Sequence, residues 1–497
     1  MKQTIKKICI VGAGPSGIMA ARHLSEIPNA EITVFEATND IGGLWNYNEK
    51  NASDLKFDPD KRKDLYYHLN SHFHGSLYPY LMTNVPYFFM SHKDFSHEDL
   101  HPDIPLFINI AQHKEYLDAY ITRFDLRHCF NLNTLVQSVR LWRNLTPEEQ
   151  AQVSTERKFV VKTATWSQEE EAQLEYKYSS FDYVVLCTGH NSKPYIPPIK
   201  GITKFKGKMI PAKDFRSPDA DFLKGHRIMV LGAGMSAIDI VVQLLANPYL
   251  GPQSVGKVVL VGRKVNYLGK AKDFEGLIQT GKLRIIEGEI EEVIGEKQVK
   301  ITNGSIEEVE TILLGTGYQF NLPFLDFEKD KLVDFDINPI RKRFFGPVYK
   351  RMICIREPDI FFVGFTDASP LNLTTYELQT MIVKVIIEGK LKLPGKEEMV
   401  QGFLKDLDEI RWKHKRRLEN FRLRPLTMDI EYRNELRDWL RPVWEHDEEK
   451  SKEYEEILMK TYEKMGEMVI AGNYIAFKRY DYHLIFPRDL KNTTDIV

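Results

Sequence analysis

The stretch Lys7-Ile8-Cys9-Ile10-Val11-Gly12-Ala13-Gly14-Pro15-Ser16-Gly17 decides how the chain begins to fold. Its apolar first half predicts a strand buried in a parallel sheet, and residues 18–24 after it are good helix formers. In a strand, G-x-G-x-x-G, helix unit, the first glycine allows a tight turn and the second lets the backbone approach a pyrophosphate. The third lets helix and strand pack closely, and the helix N-terminus adds unpaired N–H groups. These residues predict a dinucleotide-binding turn, here named the first glycine turn (Gly12–Gly17).

A second predicted strand, residues 31–35, ends in Glu36. An acidic residue about twenty positions past the turn can accept hydrogen bonds from both ribose hydroxyls, and it repels a 2′-phosphate. This position predicts FAD or NAD rather than NADP. The paired glycines of Ile41-Gly42-Gly43-Leu44-Trp45 suit a backbone that passes close to a flat cofactor ring.

The same device occurs again farther along the chain. A predicted strand at residues 228–231 leads into Gly232-Ala233-Gly234-Met235-Ser236-Ala237, the second glycine turn. The strand after its helix, residues 257–261, is followed by Arg263 and Lys264. A guanidinium can hold the 2′-phosphate of NADPH through paired hydrogen bonds, although the two bases also suit a solvated strand end. The change from a negative charge at Glu36 to a positive charge at Arg263 predicts FAD at the first glycine turn and NADPH at the second.

Two further apolar strands end in Thr-Gly, at Thr188-Gly189 and at Thr316-Gly317, where we expect the chain to cross between domains. The predicted fold is α/β, with two Rossmann-like dinucleotide-binding domains and a mainly helical C-terminal region. Residues 131–182 are expected to form a β-meander. The predicted parts are an FAD domain in two pieces, 1–200 and 326–400, an inserted NADPH domain, 201–325, and a C-terminal helical extension, 401–497.

Several of these segments together resemble the flavin-containing monooxygenase family, which belongs to the class B flavoprotein monooxygenases. The resemblance runs from about residue 5 to about residue 395. It rests on Gly-Gly-Leu-Trp after Glu36, Thr83-Asn84-Val85-Pro86, Phe205-x-Gly207 with Phe215, Thr316-Gly317-Tyr318 with Pro323-Phe324, and Glu377-x-Gln379. The chain departs from the family fingerprint at one position, because Pro211 stands where the fingerprint has histidine.

The resemblance implies an enzyme that uses FAD, NADPH and O2 to oxygenate a soft nucleophile, at nitrogen or sulfur, through a C4a-hydroperoxyflavin. It implies that Asn84 lies near the flavin, although Asn84 also suits a simple turn before Val85-Pro86. The expected catalytic residue is Asn84. The residues expected to bind the cofactors are Gly12, Gly14, Ser16, Gly17, Glu36, Gly43, Leu44, Trp45, Thr83, Thr188, Gly189, Gly232, Gly234, Ser236, Ala237, Arg263, Lys264, Thr316, Gly317 and Gln379.

Three other functions share part of this sequence pattern. Proline cannot replace a histidine side chain, so Pro211 keeps open an uncoupled NADPH oxidase, or a non-oxygenating FAD-binding protein, that leaks hydrogen peroxide. A Baeyer–Villiger-type oxygenase shares the cofactors, but its related fingerprint ends in Trp-Pro where this chain has Phe215-Arg216. A flavin disulfide reductase needs a cysteine pair, and the four cysteines include no Cys-x-x-Cys.

Composition limits the partners. The chain has 497 residues and a formal net charge of −2, which does not favour a nucleic acid. No apolar run reaches the roughly 18 residues of a membrane span. We expect a cytoplasmic enzyme, with peripheral membrane association and a homodimer left open. His97-Glu98-Asp99-Leu100-His101 fits the zinc motif H-E-x-x-H, but Pro102 and Pro105 follow it, so we expect a surface turn and no metal.

Overall fold

The computed structural model describes residues 5–47, 76–78, 81–92, 94–165, 175–218, 220–246, 255–263, 265, 272–325, 330–334, 345–366, 372–419, 424–443 and 460. The helices of this part are α1 Pro15–Leu24, α2 His97–Leu100, α3 Ile110–Arg123, α4 Pro147–Gln150, α5 Met235–Ala246, α6 Lys272–Gln279, α7 Asn372–Ile387, α8 Lys396–Glu419 and α9 Arg424–Leu440. The strands are β1 Lys6–Val11, β2 Ala30–Phe35, β3 Phe130–Asn131, β4 Thr134–Leu141, β5 Phe159–Thr165, β6 Glu175–Phe181, β7 Tyr183–Leu186, β8 Lys193–Pro194, β9 Lys208–Pro211, β10 Arg227–Leu231, β11 Lys257–Gly262, β12 Leu283–Glu287, β13 Ile290–Val293, β14 Gln298–Ile301, β15 Ile306–Glu308, β16 Thr311–Leu314, β17 Tyr318–Gln319, β18 Val348–Tyr349, β19 Ile353–Cys354 and β20 Ile360–Phe362.

The first sheet has seven strands in the order β18-β19-β20-β7-β1-β2-β3. Its neighbours from β20 to β3 are parallel, whereas β18 and β19 add an antiparallel edge. The sheet therefore combines strands from the start of the chain with strands from residues 348–362. The chain leaves this sheet after β7 and returns to it at β18.

The second sheet has five strands in the order β12-β11-β10-β16-β9, and all its pairings are parallel. Because its strands come only from residues 208–314, this sheet lies in sequence between the two contributions to the first one. Parallel strands present their carboxyl ends at one edge, which is where open α/β sheets bind ligands. Both glycine turns follow the carboxyl end of a central strand, β1 in one sheet and β10 in the other.

Both central strands are buried on two faces, which explains why their sequences are apolar without alternation. In β1, Ile8 and Ile10 pack with the helices, whereas Cys9 and Val11 face the layer that contains β4 and β5. In β10, Ile228 and Val230 pack with α5, whereas residues 229 and 231 face the three-stranded sheet β13-β14-β15. The predicted strands at 7–11 and 228–231 are confirmed.

The smaller elements cover these sheets. The antiparallel order β4-β5-β6 confirms the predicted meander, although residues 166–174 lie outside the described part. Helices α8 and α9 occupy part of the predicted C-terminal extension. Among the described helices, none has the length and apolar character that a bilayer crossing needs.

Candidate functional site

The first glycine turn is shaped by backbone contacts that exclude side chains. Gly12 has φ +101°, and a Cβ on it would lie 2.7 Å from the carbonyl oxygen of Cys187. A Cβ on Gly17 would lie 1.9 Å from the carbonyl oxygen of Gly12. At Gly14, by contrast, the nearest atom to an added Cβ is 3.7 Å away, on Gly43. Gly12 and Gly17 are therefore required by the fold, whereas a side chain at Gly14 would meet only an ordinary van der Waals contact with Gly43.

The Gly-Gly-Leu-Trp segment closes over this turn. Gly42 donates from its N–H to the carbonyl oxygen of Ala13 at 2.8 Å, and a Cβ on Gly43 would lie 2.9 Å from the Cα of Gly14. Residues Gly43–Trp45 then form a 3-10 helix. The Trp45 ring packs edge-on against His113 of α3, with the ring centroids 4.4 Å apart. The backbones of Gly14 and Gly43 thus pack directly against each other, and the predicted approach of this segment to a flat cofactor ring stays a prediction.

The Glu36 carboxylate lies at the end of β2 and is only 7% exposed. Its Oε2 accepts a hydrogen bond from the backbone N–H of Ala13 at 2.7 Å. Its Oε1 accepts from the backbone N–H and the hydroxyl of Thr38, both at 2.8 Å. A carboxylate offers about four acceptor positions, so about one remains for a further donor in this arrangement. The prediction of two ribose hydroxyls on Glu36 stays a prediction.

The ends of β7 and β20 meet the first glycine turn at the same edge of the sheet. The buried hydroxyl of Thr188 has no hydrogen-bond partner within the described ranges, and nothing lies within 4 Å of a Cβ added to Gly189. Gly364 follows β20 with φ +85°, and a Cβ on it would contact Ser16 at 3.3 Å. Gln379 accepts from the Gly364 N–H at 3.0 Å and donates to the Tyr432 hydroxyl at 3.0 Å. Gln379 therefore holds the backbone of Gly364 in place.

The second glycine turn has the same construction but is more open. Gly232 has φ +141°, and its added Cβ would lie 2.2 Å from the carbonyl oxygen of Gly315. A Cβ on Gly315 would lie 2.8 Å from the Cβ of Ala237. Alanine is therefore tolerated at the third position of the second glycine turn because the residue that follows β16 is a glycine. Gly234 and Ser236 are exposed, and no atom lies within 4 Å of a Cβ added to Gly234.

Arg263 follows β11 beside the second turn. Its side chain is 52% exposed, and its Nε donates to Glu289 Oε1 at 2.8 Å. An exposed ion pair of this kind contributes little and exchanges readily for a better anion. The guanidinium of Arg263 therefore faces solvent. Lys264 lies outside the described residues.

The segment that contains Asn84 is anchored by its neighbour. Thr83 donates from its backbone N–H to Ile108 at 2.9 Å, and its hydroxyl accepts from the Ile108 N–H at 3.1 Å. Asn84 itself is half-buried. The Thr316 hydroxyl donates to the carbonyl oxygen of Tyr195 at 2.5 Å. This bond links the segments next to the paired strands β8 and β17. Gly317 has φ +85°.

The sequence did not point to four residues at the carboxyl edges of the two sheets: His190 and Gly364 at the first sheet, and Lys213 and Arg216 at the second. His190 is buried, and its Nδ1 lies 3.1 Å from the carbonyl oxygen of Gly364. The apolar run ending in Val363-Gly364 repeats the strand-glycine pattern and could have indicated Gly364. For Lys213 and Arg216, both deeply buried, no local signal exists because charged residues are usually exposed.

The surface-turn prediction for the H-E-x-x-H segment is wrong at His97. Helix α2 is four residues long, and His97 is fully buried because it stacks on Tyr116 and its Nε2 lies 3.0 Å from His113 Nδ1. His101 points elsewhere, towards Glu115. Over the described ranges, no three His, Cys, Asp or Glu side chains are placed to hold a metal ion.

Burial also determines the chemistry of the thiols near the first turn. Desolvation raises the pKa of Cys9 and of Cys187 well above the usual range of a thiol. All four cysteines are buried and unpaired. These thiols are packing groups rather than nucleophiles.

Comparisons with known proteins agree with this geometry. A sequence profile described as flavin-binding monooxygenase-like matches residues 5–259 and 262–437. The flavin-containing monooxygenase FMO GS-OX-like 9 of Arabidopsis thaliana is 29% identical over 402 residues, covering 80% of this chain and 79% of the relative. The trimethylamine monooxygenase of Pelagibacter sp. (strain HTCC7211) is 27% identical over 404 residues, covering 80% and 78%.

The fold is shared with solved structures. The S-allyl-L-cysteine S-oxygenase of Allium sativum superposes with a TM-score of 0.72 at 22% identity, covering 98% of each chain. The chain is therefore a mixed α/β protein with parallel sheets like those of flavin monooxygenases. Because the family profile spans nearly the whole sequence, the chain belongs to the flavin-binding monooxygenase-like family, whose members are oxidoreductases.

Proposed function

We propose that the chain is an FAD-dependent monooxygenase that uses NADPH and O2 to oxygenate a soft nucleophile at nitrogen or sulfur. One observation carries the assignment of the two cofactors. The strand beside the first glycine turn ends in the buried carboxylate of Glu36, and the strand beside the second ends in the exposed guanidinium of Arg263. A carboxylate disfavours a 2′-phosphate and a guanidinium attracts it.

On this proposal, FAD binds at the edge of the first sheet. The backbone at Gly14 and the N-terminus of α1 accept the pyrophosphate, and the remaining acceptor position of Glu36 takes a ribose hydroxyl. The unpartnered Thr188 hydroxyl supplies a donor or acceptor inside the site. Gln379 acts through Gly364 and is a positioning residue.

NADPH binds at the edge of the second sheet. Its pyrophosphate lies on the exposed backbone at Gly234 and Ser236, and Arg263 exchanges Glu289 for the 2′-phosphate. This division corresponds to two Rossmann-like domains, an FAD domain from residues 1–200 and 326–400 and an inserted NADPH domain from residues 201–325. We assign residues 401–497 to a C-terminal helical extension.

When bound and reduced, FAD supplies the oxygen-activating chemistry. The contribution of this chain is to exclude water and to fix the hydrogen bonds around the flavin. Asn84 is the candidate for the second role, since its neutral amide donates and accepts without a proton change and Thr83 anchors its segment to Ile108. In stopped-flow experiments, we expect Asn84→Ala to shorten the lifetime of the oxygenated flavin; an unchanged lifetime would remove this role.

The names of relatives support a nitrogen or sulfur substrate. One is a trimethylamine monooxygenase and another an S-allyl-L-cysteine S-oxygenase. Thioethers and the unprotonated form of tertiary amines are both neutral, polarisable nucleophiles, and either class suits the proposal.

An uncoupled NADPH oxidase is the second candidate, and Pro211 is the observation that favours it. Pro211 is the last residue of β9, an edge strand, and its register partner is Leu314. A proline at the end of an edge strand leaves the sheet intact, so the substitution removes a side-chain function and not the fold.

The deciding experiment uses purified protein with bound flavin. NADPH oxidation, hydrogen peroxide and oxygenated product are measured together with a thioether and with a tertiary amine. Product that accounts for most of the NADPH supports the monooxygenase. Peroxide alone with both substrates favours the oxidase, and a colourless protein that takes up no FAD overturns both.

A further inference from the structure

A pair of buried cations lies beside the second glycine turn. Strand β9 is the parallel edge strand of the second sheet, and the 3-10 helix Ala212–Asp214 and Phe215-Arg216 follow its carboxyl end. The strand order β10-β16-β9 places this segment two strands from the turn, roughly 10 Å away at the usual strand spacing. The segment therefore lies at the ligand-binding edge of the second sheet.

The Arg216 guanidinium is buried without a full set of partners. The residue is 7% exposed, and its Nη1 donates to the carbonyl oxygen of Leu77 at 2.7 Å. Its Nε and Nη2 are buried and have no hydrogen-bond partner in the part of the chain that the structure describes. Burial lowers the pKa of Arg216, while Asp214 and the hydroxyls of Tyr47 and Tyr318 act in the opposite direction. Two of the three guanidinium nitrogen atoms therefore lack an acceptor among the described residues, which is costly for buried donors.

Lys213 adds a second positive charge to the same place. It is 4% exposed, and its Nζ donates to the carbonyl oxygen of Ser192 at 2.8 Å. The pKa of Lys213 is lowered to about 8, mainly because the side chain is buried; Asp214 acts to raise it and the charge of Arg216 to lower it. At pH 7 both side chains remain mainly protonated. Both cations lie near the carboxylate of Asp214, which acts to raise the pKa of each.

We propose that Lys213 and Arg216 form a buried anion site that binds a phosphate oxyanion, supplied by the pyrophosphate of the dinucleotide on the second glycine turn. The guanidinium offers a planar pair of donors and the ammonium a point charge, a combination suited to phosphate oxygens. Tyr47, which follows the Gly43–Trp45 helix at the first turn, and Tyr318 of β17 both act on the pKa of Arg216, so both lie near the site.

The assignment to a dinucleotide rests on the proposed function, but the site itself does not. An uncompensated buried charge destabilises a folded protein, and removing it is neutral or stabilising. A structural role for Arg216 predicts the opposite. We therefore expect Arg216→Met, with FAD bound and in phosphate-free buffer, to melt at the same temperature as the wild type or higher. Inorganic phosphate should raise the Tm of the wild type and leave that of Arg216→Met unchanged.

The second measurement is the Kd of NADP+ for the FAD-loaded protein by calorimetry. Loss of one charged partner should raise it roughly thirtyfold in Arg216→Met, which corresponds to about 2 kcal/mol, and similarly in Lys213→Met. Lys208→Gln is the matched control, because Lys208 lies at the opposite end of the same strand, exposed over the Phe222 ring. Its NADP+ affinity should equal that of the wild type.

The outcomes separate the site from the function. A lower Tm for Arg216→Met in phosphate-free buffer, with no phosphate effect on the wild type, overturns the site. Phosphate stabilisation that depends on Arg216, with unchanged NADP+ affinity, overturns the dinucleotide as the source and supports a free oxyanion. If the wild type binds no NADP+ at all, the proposed function fails while the phosphate result still decides the site.

Discussion

Replacing Gly234 with alanine tests the second glycine turn without disturbing the fold. A Cβ at this position meets no atom within 4 Å, and its φ lies outside the left-handed region. Such a glycine-to-alanine change leaves stability unchanged or raises it by about 0.4–1 kcal/mol. Gly232 differs, because its added Cβ would lie 2.2 Å from a carbonyl oxygen. Only Gly234 therefore separates ligand binding from folding.

The expected loss can be estimated from the bonds that the methyl group prevents. If a pyrophosphate lies on this turn, the added methyl group occupies the space of a phosphate oxygen and removes at least one hydrogen bond to a charged group. Such a bond is worth about 1.5–3 kcal/mol. The Kd for NADP+ should then rise roughly 10- to 150-fold.

The assay is calorimetric titration of NADP+ into FAD-loaded protein. Gly276→Ala is the control, because Gly276 lies in α6 of the same region and its added Cβ also meets nothing within 4 Å. That variant should gain stability from better helix propensity and keep its affinity for NADP+. If Gly234→Ala binds NADP+ within about twofold of the wild type, no pyrophosphate lies on this turn and the reasoning is refuted.

Three other predictions follow from single residues. Arg263→Ala should raise the KM for NADPH about tenfold and leave the KM for NADH unchanged. The control is Arg284→Ala, because Arg284 is an exposed cation of β12 that pairs with Glu307 of β15, and neither KM should change in this variant. An unchanged preference for NADPH in Arg263→Ala would remove the 2′-phosphate assignment. Pro211→His should lower the hydrogen peroxide formed per NADPH, and equal peroxide yields from both proteins would show that Pro211 does not cause uncoupling. Burial lowers the pKa of His92 to about 4, so its neutral form stabilises the fold above pH 6.5 and this contribution is lost as the pH falls towards 4, at about 1.4 kcal/mol per pH unit. His92→Phe should reduce that slope of unfolding free energy against pH, and an equal slope in the variant and the wild type would contradict the burial argument.

The parts of the fold that the sequence predicted are those determined locally. The strands around both glycine turns follow from apolar runs, and Gly17 is required by its contact with Gly12 in the same strand-turn-helix unit. The meander follows from alternating residues. The return of β20 to the first sheet depended on resemblance, because its three residues carry no pairing information alone.

What the sequence missed depends on contacts between distant segments. His97 was expected at the surface because two prolines follow it, yet Tyr116 and His113 of α3 cover it. Arg216 gave no signal because its burial depends on Leu77, 139 positions away. Charged residues at such places are found only when the packing is known, and they are the residues most closely tied to ligands.

The two turns also differ in how far the protein closes over them, and this difference predicts how each cofactor behaves. At the first turn, Gly43 packs against Gly14 and the side chains of Ser16 and Glu36 are buried, so we expect a ligand there to leave slowly. At the second turn, Gly234 and Ser236 are exposed and a ligand can leave without such movement. A flavin is regenerated in place in each catalytic cycle, whereas NADP+ must be released for the next NADPH to bind. We therefore expect FAD to remain with the protein through a desalting column that removes NADP+ completely. Loss of both at the same rate would mean that the closure over Gly14 does not retain the flavin.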